Sequence, residues 1–191
     1  AKVIHPATIH PALEAGIPVR ILNTFDPKAA GTVILPTRSD APAGVTSIAS
    51  KRGIRLVNIG SARMLGQSGF MAGVFEAFRR HDVVIDLIAT SEVSISITVD
   101  ARAPIADLVR DLSQFADVSV LGDLAVVSVV GRKLRSTPRV AASVFAALGD
   151  INVILISQGA SETNLTFVVQ AADAPEAVRR LHRELFEKEA A

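Results

Sequence analysis

Apolar residues recur along this chain in two alternating registers. Phe70, Met71, Val74, Phe75 and Phe78, and then Val140, Ala141, Val144, Phe145 and Leu148, fall at spacings that place each set on one helical face. "PIADLVRDL", with Ile105, Leu108, Val109 and Leu112, and "PEAVRRLHREL", with Val178, Leu181 and Leu185, read the same way. Between these lie β-rich runs: "LVNIGS", "ADVSVLG", "AVVSVVG" and "LTFVV". "VVIDLIATSEVSISITVD", Val83 to Asp100, reads as two strands turned around a polar "TSE", with one carboxylate, Asp86, inside the first. Ser68 and Thr137, the latter followed by Pro138, are the expected helix N-caps.

The pattern repeats. At a fixed offset of 70 residues "VFEAF" (Val74 to Phe78) falls on "VFAAL" (Val144 to Leu148), Ser91-Glu92 on Ser161-Glu162, and "ISITV" on "LTFVV", without a gap. Two copies of one supersecondary unit follow. The first copy reads β-α-β-β-α-β, which predicts an α+β fold of the ferredoxin-like kind, with helices on one face of an antiparallel sheet. The second copy runs out of chain before its last strand. The unassigned apolar stretch Ile17 to Phe25, behind a short helix in "TIHPALEAG", is the expected replacement, so that the first unit is inserted within the second. "TVIL", between Pro- and Gly-rich loops, reads as a further short edge strand.

Composition narrows the function. With 49% hydrophobic residues over 191 positions the chain can bury a sizeable core, whereas 20 basic against 19 acidic side chains give no field for nucleic acid or an anionic membrane. No apolar run is long enough to span a bilayer and there are no cysteines, so a cytoplasmic setting is expected. The chain starts at "AKVIHP" without a Met, which reads as a piece of a longer polypeptide. Eight Phe with neither Trp nor Tyr, and no aromatic residue in "VSISITVD", argue against the RNA-binding use of this strand order.

Candidate chemistry is sparse. His5, His10, His81 and His182 show no metal-ligand spacing, and no nucleophile with its base or paired carboxylate site stands out, so neither a metal nor catalytic residues are expected. "GQSGF" is either a loop presenting N–H groups to an anion at a helix start or simply a glycine turn. Asp86 is more pointed, because the repeat puts Ile156 at the equivalent place and no Lys or Arg lies between Arg80 and Arg102. An ionised carboxylate in such surroundings needs a cation, and a bound ammonium group supplies one. With loop donors for a carboxylate, the pair fits a free amino acid. Ser91 and Glu92 either only build the bend or place Glu92 against a second ammonium.

"AKVIHPATIHPALEAGIPVRILNTFDPKAAGT", "LVNIGSARMLGQSGFMAGVFEAFRRHDVVIDLIATSEVSISITVD" and "ISQGASETNLTFVV" closely resemble the C-terminal part of the aspartokinase family, over nearly the whole chain. The resemblance implies tandem ACT domains, the first inserted into the second. It divides the chain into the end of a kinase domain plus the completing strand (1–40), a first ACT domain (41–124) and a second (125–188). It further implies a regulatory, non-catalytic fragment with no cofactor of its own, ATP belonging to the intact enzyme, in which Lys2 and Val3 are remnants of the nucleotide border. The lysine-inhibited branch is the nearest in pattern. By position, its effector site carries over to Met64, Gln67, Gly69, Phe70, Val84, Asp86, Ser91, Glu92 and Val93, at a homodimer interface, with lysine as effector and threonine as the alternative. A dimerisation module without a working site is the other reading.

Overall fold

The computed structural model describes residue 4 and residues 6–35, 43–64, 68–159 and 161–187. Two compact units are present, Ala1–Pro42 and Ala43–Ala191.

In the first unit, α1 (Pro6–Glu14) is followed by β1 (Val19–Ile21) and β2 (Thr32–Ile34), which pair with each other in a two-stranded antiparallel sheet. The expected strand in "TVIL" is therefore β2. The stretch Ile17 to Phe25, however, yields only the three residues of β1, and Ile17, Leu22 and Phe25 stand exposed. It does not complete the second copy's sheet.

The second unit contains β3 (Gly44–Gly60), α2 (Phe70–Arg80), β4 (Leu87–Thr90), β5 (Ser94–Asp100), α3 (Ala106–Leu112), β6 (Asp117–Arg132), α4 (Val140–Leu148), β7 (Leu155–Ser157), β8 (Asn164–Gln170) and α5 (Ala174–His182). Its strands form one six-stranded antiparallel sheet in the order β4-β5-β3-β6-β8-β7. β3 and β6 are long and serve both copies. The first half of β3 pairs with the second half of β6, from Gly44 opposite Arg132 to Arg52 opposite Ala125. The later half of β3 pairs with β5 on one side and the start of β6 on the other. The strand that replaces the second copy's missing one is thus Gly44–Arg52, and Val45 and Ile48 pack on that copy's core.

Both long strands turn at equivalent places. Gly53 (φ +73°) and Asp123 (φ +54°), 70 residues apart, are left-handed, and their carbonyls accept from Ala101 N–H and Ala171 N–H at 2.7 Å each. Glycine meets the φ of the first kink without strain. In each copy every second strand residue faces the helices. Ile95, Ile97 and Val99 lie beneath Val74, Phe78 and Leu108; Leu165, Phe167 and Val169 lie beneath Val144, Leu148 and Leu181. Each large side chain so buried contributes about 1.5–3 kcal/mol. A third cluster, Ile54, Leu56, Leu124, Leu155 and Val168, lies apart from these two, and the outer strands β4 and β7 touch beside it.

The helix starts differ from expectation in the same way in both copies. α2 is capped by Gly69 (φ +93°) and α4 by Arg139 (φ +69°), both left-handed and neither with a side-chain cap bond, in place of Ser68 and Thr137-Pro138. The end of α4 is tied down by Arg180 of α5, which donates to the Leu148 carbonyl (2.6 Å), Asp150 Oδ1 (2.7 Å) and Glu176 Oε1 (3.0 Å). The bond from Arg180 holds the Asp150 carboxyl below the usual range; bonds from Arg179 and then Arg180 do so for Glu176. Carboxyls depressed in the folded state add stability that is complete above the ordinary carboxylate range and is lost as pH falls through their lowered values. Arg180→Leu is accordingly expected to lower stability at neutral pH and to make the acid loss shallower than in the parent chain. Urea titrations at neutral and acid pH read both, and parallel pH profiles for the two chains would contradict it.

Candidate functional site

Most of the residues singled out in the sequence meet at one end of the first copy. Ser61, just past β3, donates its N–H to the Val93 carbonyl (3.0 Å), which sets the short 3-10 turn Ala62–Met64 beside the bend between β4 and β5. Met64 and Phe70 are partly buried against the first core, and Phe70 meets Phe115 edge-on at 5.8 Å. Their apolar bulk therefore supports the fold as well as lining this end. The left-handed Gly69 opens α2 with no side-chain cap, so its first-turn N–H groups point out at the positive end of an 11-residue helix, where an anion is favoured.

At the bend, Ser91 Oγ is 2.7 Å from Ser94 Oγ and accepts from the Ser94 N–H at 3.1 Å. Ser161 does the equivalent with Thr163 in the second copy, so this serine builds the turn in both. Val93 is half-exposed. Glu92 has no hydrogen-bond or ion-pair partner among the described residues. Its counterpart Glu162 does: Arg135 donates to Glu162 Oε1 (2.8 Å) and to the Gly159 carbonyl (3.0 Å). In sequence the residue equivalent to Arg135 is Leu65. A guanidinium thus occupies in copy two the acid that copy one leaves open. Gln67, Lys2 and Val3 lie outside the described residues.

Asp86 is not at this end. Its N–H donates to the Thr98 carbonyl (3.0 Å), level with Leu87 at the start of β4, four residues before Thr90. At about 3.3 Å per residue that is roughly 13 Å along the strand from the bend. Val84, 76% exposed, precedes it. Nor is Asp86 left to an outside cation. Lys51 of β3 places Nζ 2.7 Å from Asp86 Oδ2 and 3.9 Å from Asp100 Oδ2. The expectation of a carboxylate without a partner from its own fold is therefore overturned. A search for charge limited to the neighbouring sequence misses Lys51, which reaches Asp86 from 35 positions upstream, on the half of β3 that pairs with β6. Asp100 is held below the usual carboxylate range chiefly by its bonds from Arg102.

Two ferredoxin-like copies sharing long strands, the first with an uncapped helix start and a polar bend between β4 and β5, define a module of the ACT type. The ACT domain family model matches residues 57–103 and 127–185, and the chain belongs to that family as the regulatory region of an aspartokinase. It is 39% identical over 198 residues to "Aspartokinase 1, chloroplastic" of Arabidopsis thaliana, a match covering 98% of this chain and 35% of that protein. Escherichia coli aspartokinase III, solved in complex with lysine and aspartate, superposes with a TM-score of 0.84 at 37% identity, over 97% of this chain and 42% of that one. A putative C-terminal regulatory domain of aspartate kinase from Porphyromonas gingivalis w83 is 33% identical, with a TM-score of 0.65 over 73% of this chain and 96% of that one. The chain thus spans less than half the length of the first two.

Proposed function

We propose that this chain is the amino-acid-sensing part of an aspartokinase and binds lysine, for feedback control of aspartate phosphorylation by the parent polypeptide. The observation that carries the reading is the difference between the copies: Glu92 stands open where Arg135 fills Glu162. The effector's carboxylate lies on the first-turn N–H groups of α2 beyond Gly69 and Phe70, and an ammonium lies on Glu92. Asp86 joins the site through a second copy. β4 is an outer strand, and Val84 before it, Ile88 in it and Val93 after it are all more than a third exposed. Two such edges placed antiparallel about Ile88 bring Asp86 of one beside the Ser91-Glu92 bend of the other, and Val84 near Val93. A two-fold of this kind buries the apolar strip and makes the site depend on the pairing. A coupling of about 1–3 kcal/mol between effector and pairing geometry is enough for control. The lysine complex of the Escherichia coli relative supports the same effector.

A second reading has its own support. Because Lys51 already neutralises Asp86, an amino acid with an uncharged side chain, threonine, is also accommodated. Melting the chain against twenty amino acids separates the cases. A ligand at about 100 times its Kd adds about 2.7 kcal/mol of stability. A response to lysine is expected; a response to threonine alone favours the second reading, and silence to all twenty leaves a dimerisation module and overturns both.

A further inference from the structure

We infer that Lys51 decides which amino acids the site accepts, acting as a tethered counter-ion that a cationic side chain must displace from Asp86. This rests on the sensing role proposed above and adds a residue to it. Lys51 presents to Asp86 the same primary ammonium that the lysine side chain carries, at 2.7 Å. Lys51 on Oδ2 cancels much of the charge that draws a second ammonium to the same carboxylate and repels that ammonium, so the two cations compete. The competition is mild because the pair is open to water: the Lys51 side chain is 50% exposed and that of Asp86 33%. An ion pair in such a setting holds its partners by a factor of at most about five. Breaking it strands no buried charge.

Lys51 also has somewhere to go. Asp100 Oδ2 lies 3.9 Å from its Nζ, while Asp100 Oδ1 is engaged by the N–H (3.0 Å) and Nε (3.2 Å) of Arg102. A swing from Asp86 to Asp100 keeps the ammonium compensated throughout. The swing starts from a telling place. Lys51 lies two residues before the Gly53 kink, on the half of β3 that pairs with the second half of β6, whereas Asp86 and Asp100 belong to the first copy. The ammonium therefore ties the strand of one copy to the carboxylates of the other, and an effector that displaces it loosens a tie between them. An uncharged side chain leaves the tie in place.

Calorimetry on the 191-residue chain with lysine and with threonine tests this. Lys51→Met removes the competing charge at an exposed position and is expected to tighten lysine binding by about two- to fivefold while leaving threonine unchanged. Lys51→Arg keeps a competing cation and is expected to match the parent. Lysine affinity that is unchanged or weaker in Lys51→Met, in a chain whose parent binds lysine, sinks the counter-ion role and leaves the sensing role standing. Equal tightening for both amino acids also sinks it, because a general change in the fold moves both. A parent chain that binds neither amino acid removes the sensing role and this inference together.

Discussion

Phe167→Ala is expected to destabilise the chain by about 3–5 kcal/mol, the usual range for deleting a fully buried phenylalanine ring. The side chain is wholly buried in the second copy's core, opposite Val127 and Ile156 in the sheet, with its ring edge-on to Phe145 at 6.0 Å. It is held on β8 while Phe145 sits on α4, so neither element collapses easily into the void. For a domain of this size the loss corresponds to a fall in Tm of roughly 6–20 °C. More is at stake than one cavity. β3 and β6 run through both copies, so the 43–191 unit is expected to unfold in one transition that moves as a whole. Ile97, 70 residues earlier and equally buried, occupies the same place in the first copy. Ile97→Ala is expected to lower that same transition, by about 2–5 kcal/mol. Two separated transitions in urea, with Phe167→Ala shifting one and Ile97→Ala the other, would show that the copies fold apart.

The repeat that predicts this behaviour is visible in the sequence because buried strand and helix faces impose periods of two and 3.6 residues on apolar side chains. Where burial is partial, the pattern fades. "VTSIASKRG" carries Lys51 and Arg52 and has only Val45 and Ile48 against a core, so it gives little sign of being the first half of a 17-residue strand. Ile17 to Phe25 is more apolar and looks the better candidate, yet Ile17, Leu22 and Phe25 stand exposed and only Val19–Ile21 forms a strand. Backbone conformation is similarly hidden. Ser68 and Thr137 are good caps by residue type, but the chain turns left-handed at Gly69 and Arg139, and the helices begin after those positions without a side-chain cap.

The site is legible to the same degree. Offset comparison exposes Asp86 against Ile156, and it exposes Leu65 against Arg135, because the fold holds the surroundings constant while the residue changes. It cannot expose Lys51, which approaches Asp86 across the sheet from 35 positions upstream. Nor does it show that Asp86 comes just before β4 while Glu92 follows its end, although that separation is what makes a second copy necessary to the proposed pocket.

Asp86→Asn is expected to weaken lysine binding by about tenfold to a hundredfold or more, the span of a charge-assisted hydrogen bond worth about 1.5–3 kcal/mol. The amide keeps the shape and one acceptor oxygen but loses the charge that an ammonium needs. Stability in the absence of ligand is expected to change by less than about 1 kcal/mol, since among the described residues the side-chain partner lost is the half-exposed Lys51. A large effect on binding with almost none on folding is therefore the signature of a carboxylate kept for a ligand. A carboxylate kept for Lys51 alone gives the opposite, a small stability loss with binding intact. Glu162→Gln is the matched control in the second copy, where Arg135 already occupies the acid, and it is expected to leave lysine binding unchanged. Calorimetric titration of the three chains decides between these outcomes. Should Asp86→Asn bind lysine as tightly as the parent, Asp86 has no part in the effector site.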